Sequence, residues 1–278
     1  MITPTSPVTA PFKTDFDGST PTPRHVLASF LRDTGVLTGR ALRHQLRHID
    51  GLLMGAAVPV MLLLVFVYVF GGAIAGRAEY VRYVVPGIIV LAAGFSASQV
   101  ALAVTDDLTT GTVDRLRAMA TPVAALLSGH VLANVARNLG STLLVVVLAM
   151  VIGFRSEASA LAWLATAGIA VLYMLAIAAV SVAIGVVARS ADAASGFTFF
   201  VLFLPYVSSA FVEPETLPAA LRGFAEHQPI TPVIETMRAL LLGAPVGTSA
   251  WLAVAWCLGV IVASVPLTAA LFRHRMAP

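Results

Sequence analysis

Residues able to do chemistry are few in this chain, and their spacing gives them little to do. His44 and His48 stand four apart, so on a helix both imidazoles share one face, the spacing of a two-histidine metal pair, but no third ligand lies nearby. Glu226 and His227 would suit acid–base work, yet adjacent side chains point apart on a helix. Lys13 is the only lysine, and it sits in the N-terminal tail, so a Walker-type phosphate loop with its obligatory lysine is excluded. There is no H-E-x-x-H, no G-x-S-x-G and no Asp pair within an apolar segment, which removes the usual active sites of an intramembrane hydrolase. The single cysteine, Cys257, lies in an apolar run, so no intrachain disulfide forms and no metal site is built on thiolates. No catalytic residue and no metal site is expected.

Two polar stretches remain. The first, 106–117, is the longest polar interruption between two long apolar segments in the first half of the chain. Read as a helix from about Thr109, it carries Asp114, Arg115 and Arg117 on one side and Val113, Leu116 and Met119 on another. A helix so short is not stable alone, so it must dock on lipid headgroups or a partner protein, or else be an ordinary solvated loop. The second is a stripe of His130, Asn134, Arg137, Asn138 and Ser141, which fall on one helical face. Such a stripe cannot face lipid. It lies along the membrane surface, turns inward to a watery vestibule, or meets headgroups before the span begins near Leu139. Arg137 is expected to pair with Asp106 or Asp107 across the loop.

The elements that must position these stretches follow from composition. Of 278 residues, 58% are hydrophobic and 11% charged, so lipid is the solvent for most of the chain. The apolar runs are long enough to cross a hydrocarbon core as helices and lack the period-two alternation of barrel strands. The expected class is an all-α membrane protein with six transmembrane helices, at about 51–75, 83–105, 122–154, 161–187, 194–211 and 251–272. Residues 1–23 read as a disordered Pro/Thr/Ser-rich tail without a secretory signal, and 24–50 as an interfacial amphipathic helix whose arginines face anionic lipid. The six-span body then occupies 51–278, with a loop at 106–121 and an external segment at 212–250. In that segment Ile230, Val233, Ile234, Met237 and Leu241 repeat at helical spacing, with Glu235 and Arg238 off that face.

Six spans put both termini on one side. Of the 17 Lys and Arg residues, only Arg77, Arg82, Arg155, Arg222 and Arg238 fall on the opposite connections, which places both termini and the 106–121 loop in the cytoplasm. The small net charge of +3, distributed this way, reflects topology and not nucleic-acid binding.

Pro86 is expected to break the second span and Pro205 the fifth, corresponding positions if the bundle is two triplets. Paired Pro-interrupted spans point to a transport pathway, because freed carbonyls need a protein-lined or watery cavity. Nearby stand Phe95, Ser96, Ser98 and Gln99 on the second span, and Phe199, Phe200, Phe203, Tyr206 and Ser208 on the fifth. An aromatic lining with sparse hydroxyls suits a large amphipathic substrate, and helix packing through small and aromatic residues is the competing explanation. No carboxylate interrupts the centre of a span, which disfavours proton antiport. A transporter-like bundle without an engine needs one in trans.

Five stretches in order resemble one family. They are 36–43 (VLTGRALR), 59–72 (PVMLLLVFVYVFGG), 83–89 (YVVPGII), 107–117 (DLTTGTVDRLR) and 224–232 (FAEHQPITP). The chain resembles the permease subunits of ABC-2 type exporters, in particular the daunorubicin-resistance branch of actinobacterial drug and antibiotic exporters. The resemblance covers residues from about 34 to 272. It implies a half-transporter in a bacterial plasma membrane, binding no cofactor itself, with ATP and Mg on a separate ABC ATP-binding subunit and a second permease copy completing a homodimer.

It also implies roles. The loop after the second span becomes a coupling helix that sits in a groove of the ATPase, carried by Asp106, Asp107, Gly111, Val113, Asp114, Arg115, Leu116 and Arg117. Apart from the resemblance, the polar stripe of His130, Asn134, Arg137 and Asn138 is expected to form a cytoplasmic gate. Where the family usually has basic residues this chain has Thr109 and Thr110, which bears on the fit to the ATPase. The expected function is export of an amphipathic small molecule such as a drug or antibiotic. Export of lipid or a lipid-linked glycan, a secondary carrier and a lipid-modifying enzyme are the rivals.

Overall fold

The computed structural model describes residues 32, 34–36, 38–39, 49–74, 76–113, 115 and 123–275. Helix α1 spans Ile49–Val65 and continues through a π-helical turn, Phe66–Phe70, into a short helical piece, Gly71–Ile74. Then follow α2, Arg77–Thr109, α3, Val123–Ile152, and α4, Ala160–Val187. Helix α5, Ala191–Phe203, runs into a 3-10 turn, Leu204–Val207. A second 3-10 turn, Pro214–Thr216, precedes α6, Ala219–His227, α7, Ile230–Leu242, and α8, Ser249–Arg275. No strand occurs among the described residues.

Among the described residues, five helical segments are long and apolar enough to cross a membrane: Gly55–Ala73, Arg77–Thr109, Val123–Ile152, Ala160–Val187 and Ser249–Arg275. The sixth apolar passage is shorter than its sequence expectation of 194–211, because α5 ends at Phe203 and Pro205 sits in the 3-10 turn that follows. Proline has no N–H to continue the ladder, so an α-helix readily ends near it. Pro86 behaves differently. It lies buried inside α2, which runs through it without interruption, so the expected break in the second span is absent. The neighbouring carbonyl of Tyr83 is reached by the Arg238 side chain at 3.2 Å, which supplies a donor where the helix ladder is perturbed.

Helix α2 is the centre of the bundle: 67% of its apolar window is buried, against 22% for α8. It packs on α1, α3, α4, α5 and α7. Between lipid-bathed helices the driving force is close packing and hydrogen bonding, not release of water, so small residues at crossings matter. Gly185 of α4 is such a residue: a Cβ there would lie 2.7 Å from the Ala101 carbonyl and 2.8 Å from Val104 of α2. The same approach lets Thr105 Oγ donate to the carbonyls of Ala101 and Gly185 at 2.8 and 3.1 Å. Higher in α2, Gly87 meets Ala210 in the same way, at 2.7 Å, and seats the turn after α5 on the central helix.

The two ends of the bundle differ. At the Thr109 end, Arg275 of α8 donates to the carbonyls of Val186 and Ala188, closing the C-terminus of α4. Thr34 reaches Ser128 of α3 at 3.2 Å, so the described N-terminal residues and the end of α8 share this end. Of the expected helix at 24–50, residues 32, 34–36, 38–39 and 49–50 are helical; the rest, His44 and His48 included, lies outside the described residues. At the opposite end, α7 lays Ile230, Val233, Ile234, Met237 and Leu241 into the core, the stripe expected from spacing. Gly243, with φ of 69°, terminates α7 as a left-handed C-cap.

Candidate functional site

The turn after α2 is built by its own polar side chains. Asp106 O accepts from the Thr110 N–H at 2.8 Å and from the Thr110 hydroxyl at 2.8 Å, tightening the last turn of α2. Gly111 follows at φ of +74°, a left-handed conformation that a side chain resists. The Arg115 N–H then donates to Gly111 O at 3.2 Å, starting a new helical turn. Asp106, Thr109, Thr110 and Arg115 are exposed there. Val113 is not: at 2% exposure it packs with Leu126 against Leu108, Val123 and Phe272. This corrects its expected place in a partner's groove. Val113 anchors the turn to α3 and α8, and leaves Asp106, Thr109, Thr110 and Arg115 as the exposed residues around it. Asp114, Leu116, Arg117 and Met119 lie outside the described residues.

The polar stripe of α3 turns inward. His130 Nε2 donates to Asp107 Oδ2 at 2.7 Å, joining the starts of α3 and the end of α2. Further along α3, Asn134 Nδ2 donates to the Ser96 carbonyl and hydroxyl at 2.7 and 2.9 Å. Arg137 donates to the same two atoms at 3.2 and 3.1 Å. The expected pairing of Arg137 with Asp106 or Asp107 is therefore absent. Ser96 lies ten or more residues from those carboxylates, about 15 Å along the helix, and Asp107 is held by His130 instead. Asn138 is 1% exposed, and neither end of its amide has a partner among the described residues.

The residues expected along a substrate path divide into two groups. Phe199, Phe203 and Tyr206 form an aromatic run on the outside of α5, with successive ring centroids 6.3 and 6.1 Å apart, and Tyr206 reaches Phe211 at 5.5 Å. Phe211 stacks on Phe66 of the π turn at 4.0 Å, extending the run to α1. Phe95 packs at the edge of the core, Gln99 is exposed, and Ser98 donates to Phe95 O at 2.7 Å. Ser208 is fully buried and spends its hydroxyl on local backbone, donating to Pro205 O and accepting from the Ala210 N–H, so it stabilises the corner. The Phe200 side chain is outside the described set.

Sequence reasoning missed a clamp at the opposite end. Arg238, expected off the buried face of α7, lies over the Tyr83 ring at 3.7 Å and donates to the carbonyls of Tyr83 and Ser209. Tyr80 OH donates to Phe211 O at 3.1 Å beside it. The signal in the sequence was a lone arginine bordering an apolar stripe. Glu226 is engaged by Arg222 at 2.7 Å, and His227 Nδ1 by Gly223 O at 2.9 Å, so the two do not converge.

Comparison with known proteins matches the model of the ABC-2 type transporter family to residues 32–242. The chain is 28% identical over 222 residues to a daunorubicin resistance ABC transporter permease protein of Streptomyces coeruleorubidus, covering 79% of this chain and 78% of that one. It is 26% identical over 270 residues to a probable doxorubicin resistance ABC transporter permease protein of Mycobacterium tuberculosis strain ATCC 25618 / H37Rv, covering 96% of each. The protein of strain CDC 1551 / Oshkosh gives the same figures.

Proposed function

The chain belongs to the ABC-2 type transporter family, and from that premise we propose that it is the membrane-spanning permease subunit of an ATP-driven exporter. Its cargo is an amphipathic small molecule, and its engine is a separate ABC ATP-binding subunit. Two permease copies and two ATP-binding subunits make the working unit, in a bacterial plasma membrane with both chain termini cytoplasmic. The short α5 passage with its 3-10 turn is the fifth of six spans, and the 3-10 turn with α6 and α7 is the external segment. The chain holds no cofactor. ATP and Mg belong to the partner.

The observation that carries the reading is the family match, which runs from residue 32 to 242 and so includes the turn between α2 and α3. That turn favours a coupling role on physical grounds. It is pinned on its inner side by Val113, by the His130–Asp107 pair and by the capped end of α2. Force applied to Asp106, Thr109, Thr110 or Arg115 is passed to α2 and α3 together, and α2 touches most of the bundle. In membranes from cells co-expressing the chain with its ATP-binding subunit, Arg115→Glu is expected to leave insertion intact, weaken co-purification of the two subunits and separate ATP hydrolysis from export. Unchanged co-purification and export would remove Arg115 and this turn from the coupling role.

A further inference from the structure

Arg137 lies fourteen residues into α3, about 21 Å along the helix, half-buried beside the buried Asn134 and Asn138. A guanidinium has five N–H donors, and among the described residues those of Arg137 meet only the Ser96 carbonyl and hydroxyl, both already shared with Asn134. No carboxylate forms an ion pair with it among the described residues. One turn from Asn134, the Asn138 amide is buried with both ends unpartnered, and Asn134 Oδ1 and Ser141 Oγ are unpartnered too. A charge and amides left in this state inside a low-dielectric bundle are costly, so they mark a place for a ligand that returns charge and hydrogen bonds.

We infer that Arg137, Asn138 and Ser96 form a binding site for the anionic head of an amphiphile, a phosphate or carboxylate on an apolar chain. The shape of α3 favours a molecule of that kind. Arg137 is half-buried at the edge of the polar face, and Gly140, beside it, has open space where a side chain would stand. Continuing up the same edge, Leu144 and Val151 follow at seven-residue intervals and are exposed. A head held at Arg137 therefore leaves its apolar chain lying along Leu144 and Val151, without leaving the bilayer. The head comes from a membrane phospholipid or from the cargo itself. The second source rests on the exporter reading, while the site does not.

The test is equilibrium binding of radiolabelled hexadecyl phosphate to the detergent-solubilised full chain, against hexadecyl maltoside of the same chain length. Wild type is expected to favour the phosphate by about tenfold or more, the size of one set of charge-assisted hydrogen bonds. Arg137→Gln should lose that preference, and Arg222→Gln, at the opposite end of the bundle, should keep it. Ser96→Asp supplies an internal counter-ion to the guanidinium and should abolish the preference even if Arg137→Gln does not fold. Repeating the wild-type measurement in nanodiscs separates the sources. If phosphatidylglycerol discs abolish binding of added hexadecyl phosphate, the head is a bilayer lipid; if binding persists, it is cargo. Equal binding of the two amphiphiles by wild type, or a preference retained in Ser96→Asp or in folded Arg137→Gln, overturns the site. No ATP or ATP-binding subunit enters this assay, so loss of export with anion binding intact would count against the exporter reading alone.

Discussion

Single residues decide how closely the helices approach. At Gly185 the added carbon of any other residue meets the Ala101 carbonyl and Val104, and both belong to a helix held on every side. Gly185→Leu is therefore expected to cost about 1–3 kcal/mol or more, as overpacking does in a tight core. Fluorescence-monitored thermal unfolding of the detergent-solubilised chain checks this; Gly168→Leu, at a position with open space, is the matched control. A melting temperature unchanged in Gly185→Leu would mean that α4 does not sit against α2 as described. Gly111 is a different case. Its neighbourhood is open, and only its backbone conformation restricts it, so Gly111→Ala should cost about 1 kcal/mol through left-handed strain and Gly111→Val more. Because that strain lies in the turn between α2 and α3, the same variants should lower coupled ATP hydrolysis before they lower the amount of inserted protein.

At the scale of elements, α7 and its clamp show what a sequence reveals and what it conceals. The stripe Ile230, Val233, Ile234, Met237 and Leu241 was legible because helical period and burial coincide. Arg238 was not, since its partners are the Tyr83 ring and two backbone carbonyls brought in from 155 and 29 residues away, and no local pattern encodes a carbonyl. The α3 stripe was legible as a polar face, but not its partner: a hydroxyl and carbonyl of Ser96 carry no charge to announce the pairing that Asp106 and Asp107 seemed to offer. Pro86 misled for a related reason. Proline predicts a lost hydrogen bond, and a helix enclosed by neighbours tolerates that loss without breaking. Arg238→Ala removes a cation–π contact and two charged hydrogen bonds, an expected loss of about 2–4 kcal/mol at the far end of the bundle. Cysteine labelling at Ser249→Cys, beside Glu235, should then become faster as α7 loosens. Labelling at the wild-type rate would show that the clamp is dispensable.

For the whole molecule, the arrangement is a bundle hung on one central helix, with an anchored turn at the end that also receives Thr34 and Arg275. Every other helix long enough to cross a membrane packs on α2 or on a neighbour of it, so a push at the Thr109 end has a mechanical route to α7 at the opposite end. The proposed function puts the energy source of this bundle on a separate subunit, which makes that source the central question. The direct measurement uses inverted membrane vesicles containing the chain with its ATP-binding subunit and follows uptake of an amphipathic dye. Uptake is expected to require ATP, to survive a protonophore and to disappear when the Walker lysine of the ATP-binding subunit is replaced. Uptake that persists with the lysine replaced, and collapses with the proton gradient, would contradict the exporter reading.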